Sequence, residues 1–241
     1  MATGTQYDNT INVDELLLPA TQKEKDGWTG WVKLQGEPWA FNALMRHFGL
    51  ANLRWIQATA LDYNGFIDSQ ALPDGTRLYA MIVVGRPYWA LDKGQRPYHR
   101  PGIWFANQLI TDACGTIALM KVLGNLPDGL IDSEQMAEFF ATTESHNQVQ
   151  RGEDITGFED LRSAHNACAR KMEMFMQDAK VITGYTPNAR KGRPGPKSLG
   201  ETSNVPPGEI NLTQGTLEHF VAYSPIGNQL WYLNGLDEWP R

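Results

Sequence analysis

Over residues 104–123 the chain reads WFANQLITDACGTIALMKVL, and its second half is apolar on every side of a helix. Thr111 or Asp112 can cap that helix and Gly124 can end it, which predicts about three turns over residues 113–123. Ile117, Ala118, Leu119, Met120, Val122 and Leu123 surround the cylinder instead of forming one stripe, so other elements must enclose it. Cys114 falls in the first turn, where free backbone N–H groups and the positive end of the helix dipole favour a thiolate. Gln108 stands six residues earlier. A thiolate can attack an acyl carbon, while the Gln108 amide and the Cys114 backbone N–H can donate to the oxyanion that forms. The same cysteine equally fits as a small core residue, and spacing alone does not separate the two readings.

A general base can come from the C-terminal end. The runs EHFVAYS (residues 218–224) and QLWYLN (residues 229–234) are strand-like and flank PIGN, which predicts a hairpin with a four-residue loop. In that register Ser224 pairs with Gln229, and His219 stands opposite Asn234. Directly opposed side chains have Cβ atoms roughly 5 Å apart, so the Asn234 amide oxygen would accept the His219 Nδ1 proton and orient the ring. Gln108, Cys114, His219 and Asn234 then form a constellation of nucleophile, base, orienting amide and oxyanion donor.

Elsewhere the pattern is less specific. Residues 1–25 are polar and aperiodic and read as a loose arm. WVKL at residues 31–34 alternates like a short strand, and Pro38 opens a helix with Phe41, Leu44, Met45 and Phe48 on one face and Gly49 at its end. His47 on that helix reads as a surface residue. Residues 54–61 and the apolar run at 78–84 read as strands, the second one buried, and residues 85–100, with His99, as a loop. Helices are expected over 133–143 and 158–176. His165 and Cys168 share a face of the latter and could ligate a metal, but no further ligands follow in spacing; Met172, Met174 and Met176 read as core or boundary packing. Residues 178–214 are dense in Pro, Gly and small polar residues and carry Arg190, Lys191, Arg193 and Lys197, which predicts a long loop.

The 241 residues, 41% of them hydrophobic, suffice for one large domain. A net charge of -6 argues against nucleic acid as a partner and fits a basic surface better. Two cysteines make no disulfide framework, the N-terminus lacks a signal-peptide pattern, and no apolar run approaches a membrane span. The HExxH, CxxC, P-loop and GxGxxG motifs are absent, so neither metal nor organic cofactor is expected.

FANQLITDACGTIALMKVL and EHFVAYSPIGNQLWYLNGL, with GWVKLQGEPWAFNALMRHFG near the start, resemble the ubiquitin carboxyl-terminal hydrolases, papain-like thiol deubiquitinases, over residues 30–237. AHNACAR at residues 164–170 is similar to the long, proteasome-associated and chromatin-associated branch. The resemblance implies an α/β (α+β) fold, an antiparallel central sheet flanked by helices, with a knotted backbone. It implies a loose arm over 1–25, a catalytic domain over 26–241 and a crossover loop over about 178–214. It also makes Cys114 the nucleophile, His219 the base, Gln108 the oxyanion donor and residue 234 the third triad member.

Two features depart from the family pattern. The family's LDG motif is LNG here, placing Asn234 where an Asp is usual. An amide can hold the imidazole tautomer but supplies no charge to an imidazolium, so reduced activity is expected. The family also continues beyond this hairpin, whereas the sequence stops at Arg241, as a truncated form would. The function implied is hydrolysis of the bond after the C-terminal glycine of ubiquitin through a Cys114 thioester. The other reading is a catalytically weak ubiquitin-binding module within a larger complex. Ubiquitin and its adducts, a proteasomal or chromatin-complex subunit, and a cytoplasmic or nuclear site follow from the resemblance as expectations.

Overall fold

The computed structural model describes residues 18–26, 28, 30–58, 76–85, 102–174, 219–237 and 239–241. Residues 1–17, most of the 59–101 region and the expected crossover loop at 178–214 lie outside the described residues, as do His99 and Met176. The elements in chain order are α1 (Gln22–Asp26), α2 (Pro38–His47), β1 (Met81–Gly85), a 3-10 turn (Thr111–Ala113), α3 (Cys114–Leu123), α4 (Glu134–Thr143), α5 (Gln148–Gly157), α6 (Glu159–Ala167), β2 (His219–Ile226) and β3 (Gln229–Leu233).

Helix α3 is the centre of the molecule, and all ten of its residues are buried. It shares one core with Leu34, Phe41 and Leu44 from the N-terminal part, Met136 of α4, Ile155 of α5, Leu161 of α6, and Phe220 and Leu233 of the sheet. Its first turn can press onto β2 because residue 115 is glycine: a Cβ there would lie 3.1 Å from Leu34 Cδ2 and 3.6 Å from Phe220 Cδ1. Gly124 ends the helix in an ordinary right-handed conformation (φ -68°). The Trp104 ring lies 2.7 Å from where its Cβ would stand, so packing, not backbone freedom, requires glycine there.

The described strands form one antiparallel sheet in the order β1-β2-β3, with Gly85 opposite His219 and Ala222 opposite Leu233. Phe220, Ala222, Trp231 and Leu233 enter the core. Met81 and Leu230 are exposed, and the Tyr223 and Tyr232 rings meet edge to face at 5.3 Å. β1 is therefore a partly exposed strand, not the fully buried one its apolar run predicts, because its hydrogen-bonded neighbour β2 presents Tyr223 beside Met81. Arg241 exchanges backbone hydrogen bonds with Tyr232 on β3, at 2.6 and 3.0 Å. The antiparallel sheet with flanking helices is the expected architecture.

Residues 31–34 are not a strand. The Val32 N–H donates to Asn166 Oδ1 at 3.1 Å, and its carbonyl accepts from His165 Nε2 at 2.5 Å. Asn166 Nδ2 also donates to the Gly30 carbonyl at 2.9 Å. With Nε2 as the donor, His165 Nδ1 accepts the Thr116 hydroxyl of α3 at 2.6 Å. This pair of α6 side chains satisfies the backbone that a partner strand would otherwise serve. It also explains why the helix expected over 158–176 stops at Ala167. The chain must turn there so that residues 169–171 can meet residues 18–20, through Ala20 N–H to the Ala169 carbonyl at 3.3 Å and Lys171 N–H to the Leu18 carbonyl at 3.1 Å.

Burial holds His165 down to about 4, well below its ordinary 6.5. Its folded pKa is thus below its unfolded one, so the stability it contributes is complete above about 6.5 and is lost as pH falls toward 4. Unfolding free energy should drop by up to about 1.4 kcal/mol per pH unit in that window. Urea titrations at pH 7.5 and 5 will measure this drop; equal stabilities at the two values would refute it, and His165→Gln should flatten the dependence.

Candidate active site

Cys114 is the first residue of α3, reached through the 3-10 turn, and Ala113 occupies the cap position without a side-chain cap. The cap position of α3 falls on Ala113 and not, as the sequence suggests, on Thr111 or Asp112, because both belong to the turn that precedes it. Burial pushes the Cys114 thiol up to about 11; hydrogen bonding to the Phe220 and Gly115 backbone and the charge of Lys33 oppose this, and Asp112 adds to it. The expected thiolate at a helix start is therefore a neutral thiol at rest. Desolvation outweighs the helix dipole here.

The hairpin carrying the base differs from its expected register. Ile226 pairs with Gln229, so the loop is the two-residue turn Gly227 and Asn228, with Gly227 in the left-handed region at φ 64°. His219 is consequently not opposite Asn234: Asn234 is displaced by two positions along β3. An offset of two keeps both side chains on one face, within diagonal reach. The two meet at 2.7 Å, and they do so through His219 Nε2, not the expected Nδ1.

The Leu236 backbone N–H donates to the same Asn234 Oδ1 at 3.1 Å. A backbone N–H requires an acceptor, so this contact fixes which end of the amide faces the ring. His219 Nε2 must then be the donor, and the neutral imidazole carries its proton there. Nδ1 is left as the basic nitrogen. It is the ring nitrogen nearer the backbone, and Cys114 bonds the backbone of the adjacent residue, Phe220. Burial, the largest cause, and Lys121 lower the His219 pKa, while the Asn234 bond raises it. Neutral thiol and neutral imidazole are thus the resting pair.

Gln108 belongs to an extended segment laced on both sides. Its backbone N–H donates to the Gly235 carbonyl at 2.8 Å, Asn107 Nδ2 donates to the Asp237 carbonyl at 2.8 Å, and the Asn107 N–H donates to Gln148 at the start of α5 at 2.8 Å. All four sequence-derived site residues are buried; His219 bonds Asn234, Gln108 is tied to Gly235 next to Asn234, and Cys114 to the backbone of Phe220 next to His219. Three participants were not foreseen: the Leu236 N–H, Gly235, and Lys121, whose signal was a lone cation in a helix otherwise apolar on every side. A Cβ on Gly235 would lie 2.7 Å from Lys121 Nζ and 2.9 Å from Gln108 Cβ.

His165 and Cys168 do not form a metal site. His165 serves Thr116 and Val32, and among the described residues no cluster of three or more His, Cys, Asp or Glu side chains could hold a metal ion. Among them, too, no helix is long and apolar enough to cross a membrane.

A cysteine opening a central helix, a histidine on the strand packed against it and an amide bound to that histidine together make the layout of a papain-like thiol hydrolase. The family model for ubiquitin carboxyl-terminal hydrolases, family 1, matches residues 31–241, and the chain belongs to that family. It is 27% identical to ubiquitin carboxyl-terminal hydrolase ubh-4 of Caenorhabditis elegans, over 87% of this chain and 54% of that protein. It is 23% identical to ubiquitin carboxyl-terminal hydrolase 2 of Schizosaccharomyces pombe, over 87% and 59%. Identity to the BAP1 hydrolase of Danio rerio is 24%, over 88% and 25%. The chain thus spans little more than half the length of the first two. The catalytic domain of Trichinella spiralis UCH37, solved bound to ubiquitin vinyl methyl ester, has the same fold, with a TM-score of 0.59, 20% identity, and coverage of 88% of this chain and 77% of that one.

Proposed function

We propose that this chain is a thiol deubiquitinase that hydrolyses the bond after the C-terminal glycine of ubiquitin. The observation that carries the reading is the shared acceptor Asn234 Oδ1, which by binding the Leu236 N–H and His219 Nε2 leaves Nδ1 free to take a proton. Because thiol and imidazole are both neutral at rest, His219 removes the Cys114 proton as the sulfur attacks the glycine carbonyl. The Gln108 amide and the Cys114 backbone N–H donate to the oxyanion. Collapse expels the amine, which takes the proton from the imidazolium, and a thioester remains. A water that gives its proton to His219 then cleaves the thioester, releasing ubiquitin and the free thiol.

The family and the position of residues 178–214 support a crossover loop there, within a catalytic domain over 26–241. AHNACAR supports the long branch of the family, and with it a partner subunit of a proteasomal or chromatin complex and a cytoplasmic or nuclear site. The purified chain is to be mixed with ubiquitin bearing a C-terminal thiol-reactive group and read by intact mass. A one-to-one adduct is expected. Binding without an adduct would favour the alternative, a ubiquitin-binding module; no binding would sink both.

Asn234→Asp should accelerate hydrolysis. The carboxylate keeps the Leu236 and His219 bonds and adds a charge opposite the imidazolium. Because the amide already sets the tautomer, the gain should be about tenfold, the equivalent of about 1.4 kcal/mol, and not the far larger factor seen when a triad has the wrong tautomer. Steady-state kcat/KM on a fluorogenic ubiquitin amide will measure it; an unchanged or lower value would mean that the imidazolium needs no counter-charge here.

A further inference from the structure

Lys121 is the only charged residue of α3, and it is 1% exposed. It follows Cys114 by seven residues and so shares its face of the helix. Side chains on a helix lean toward its N-terminus, which here is the catalytic end. Its amine donates to the Leu233 carbonyl at 3.5 Å, stands 4.8 Å from the centroid of the Phe105 ring and lies under Gly235, which in turn abuts Gln108. The ionisable groups facing it are Asp237 from the turn after β3, Cys114 from its own helix and His219 from β2. Burying an amine is costly, and a leucine or methionine would fill a core helix without that cost.

We propose that Lys121 is a positioning residue of this active site: its amine ties the end of β3 to α3 beneath Gln108, and its positive charge favours an anion at Cys114 while opposing an imidazolium at His219. The inference rests on the reading of Cys114 and His219 as nucleophile and base. Asn234 is neutral, so it does not offset a cation beside the ring. The result is a histidine kept available as a base at lower pH than it would otherwise be, and an electropositive floor under the position where the oxyanion forms. Burial brings Lys121 down to about 7 against the pull of Asp237 and Cys114. It is therefore charged on the acid side of neutrality, where His219 would protonate.

The sign of the effect follows. Removing the cation lets His219 hold its proton to higher pH, so the acid limb of activity moves up. Cys114 has its own further neighbours in Asp112 and Lys33, which Lys121 variants leave in place. The test compares wild type, Lys121→Met and Lys121→Gln, all in a Cys168→Ala background so that Cys114 is the remaining thiol. Two profiles are recorded from pH 4.5 to 9: kcat/KM on a fluorogenic ubiquitin amide, and the rate of iodoacetamide alkylation of Cys114, which needs no ubiquitin. Both variants should shift the acid limb of both profiles upward by about one pH unit, roughly a tenfold loss well below the limb. Glutamine can still donate to the Leu233 carbonyl, so a shift in the methionine variant alone would assign the effect to the hydrogen bond and overturn the electrostatic role. Rates scaled down without any shift, or loss of folding in both variants, would overturn the proposal in favour of a purely structural amine. A shifted alkylation profile in a protein that never cleaves ubiquitin would leave Lys121 in its role and refute the deubiquitinase reading instead.

Discussion

Cys114→Ala is expected to abolish cleavage of ubiquitin C-terminal amides, with a fall in kcat on the order of 10⁴ to 10⁶, while the folded chain still binds ubiquitin. Losing the nucleophile of a catalytic triad costs about as much as losing the whole triad, because base and orienting group then have nothing to activate. What survives is the binding of substrate and the oxyanion donors, which no longer face a covalent intermediate. The fold should tolerate the change. The substitution removes one sulfur from the start of a helix that alanine favours, and the cost should stay below about 1.5 kcal/mol. Single-turnover assays at high enzyme concentration, with thermal unfolding and ubiquitin binding measured on the same sample, make the comparison. Residual activity above about one per cent of wild type would exclude Cys114 as the nucleophile and turn attention to Cys168, the only other cysteine.

Gly152→Ala should destabilise the fold by about 3 kcal/mol, twice the most that Cys114→Ala should cost, and should weaken catalysis from a distance. A Cβ at residue 152 would stand 2.5 Å from the Asn107 carbonyl oxygen and 2.9 Å from Leu109 Cγ. The first of these is backbone, which cannot swing aside as a side chain does, so either α5 or the segment on both sides of Gln108 must move. Overpacking of this kind typically costs about 1–3 kcal/mol, and the backbone contact places this site at the upper end. The segment is held by Asn107 N–H to Gln148 and by Gln108 N–H to Gly235, so a shift would carry the Gln108 amide with it. Loss of one oxyanion donor lowers turnover by roughly 10² to 10³. Urea unfolding and kcat on the folded fraction separate the two effects; a variant as stable and active as wild type would show that α5 does not buttress the site.

Much of the candidate site was legible because its signals are local. An apolar pattern on every side of 117–123 defines a buried helix, and a cysteine at its start follows from counting. The hairpin is legible in kind but not in register: Pro225 and Ile226 read as turn residues and extend the loop to four, yet they are strand, and the turn needs only Gly227 and Asn228. Charge states were not legible. Position at a helix start argues for a thiolate, but how deeply Cys114 is buried depends on Phe220 and Leu34, far away in the chain. The alternation of WVKL is real, yet its hydrogen-bond partners are the side chains of Asn166 and His165, about 130 residues on, which no local pattern predicts. Helix α5 is not legible from its apolar pattern although Asn147 and Gln150 form a full capping box, since the residues they introduce are mostly polar.

The diagonal placement of His219 and Asn234 has a consequence for how sequences like this one can diverge. Both side chains must emerge on the same side of the sheet, and a slip of one residue within either strand would reverse one of the two. The turn can therefore vary in length wherever the register of the two strands is kept, whereas a single residue gained or lost within a strand, between His219 and the turn or between the turn and Asn234, would point the two side chains to opposite faces.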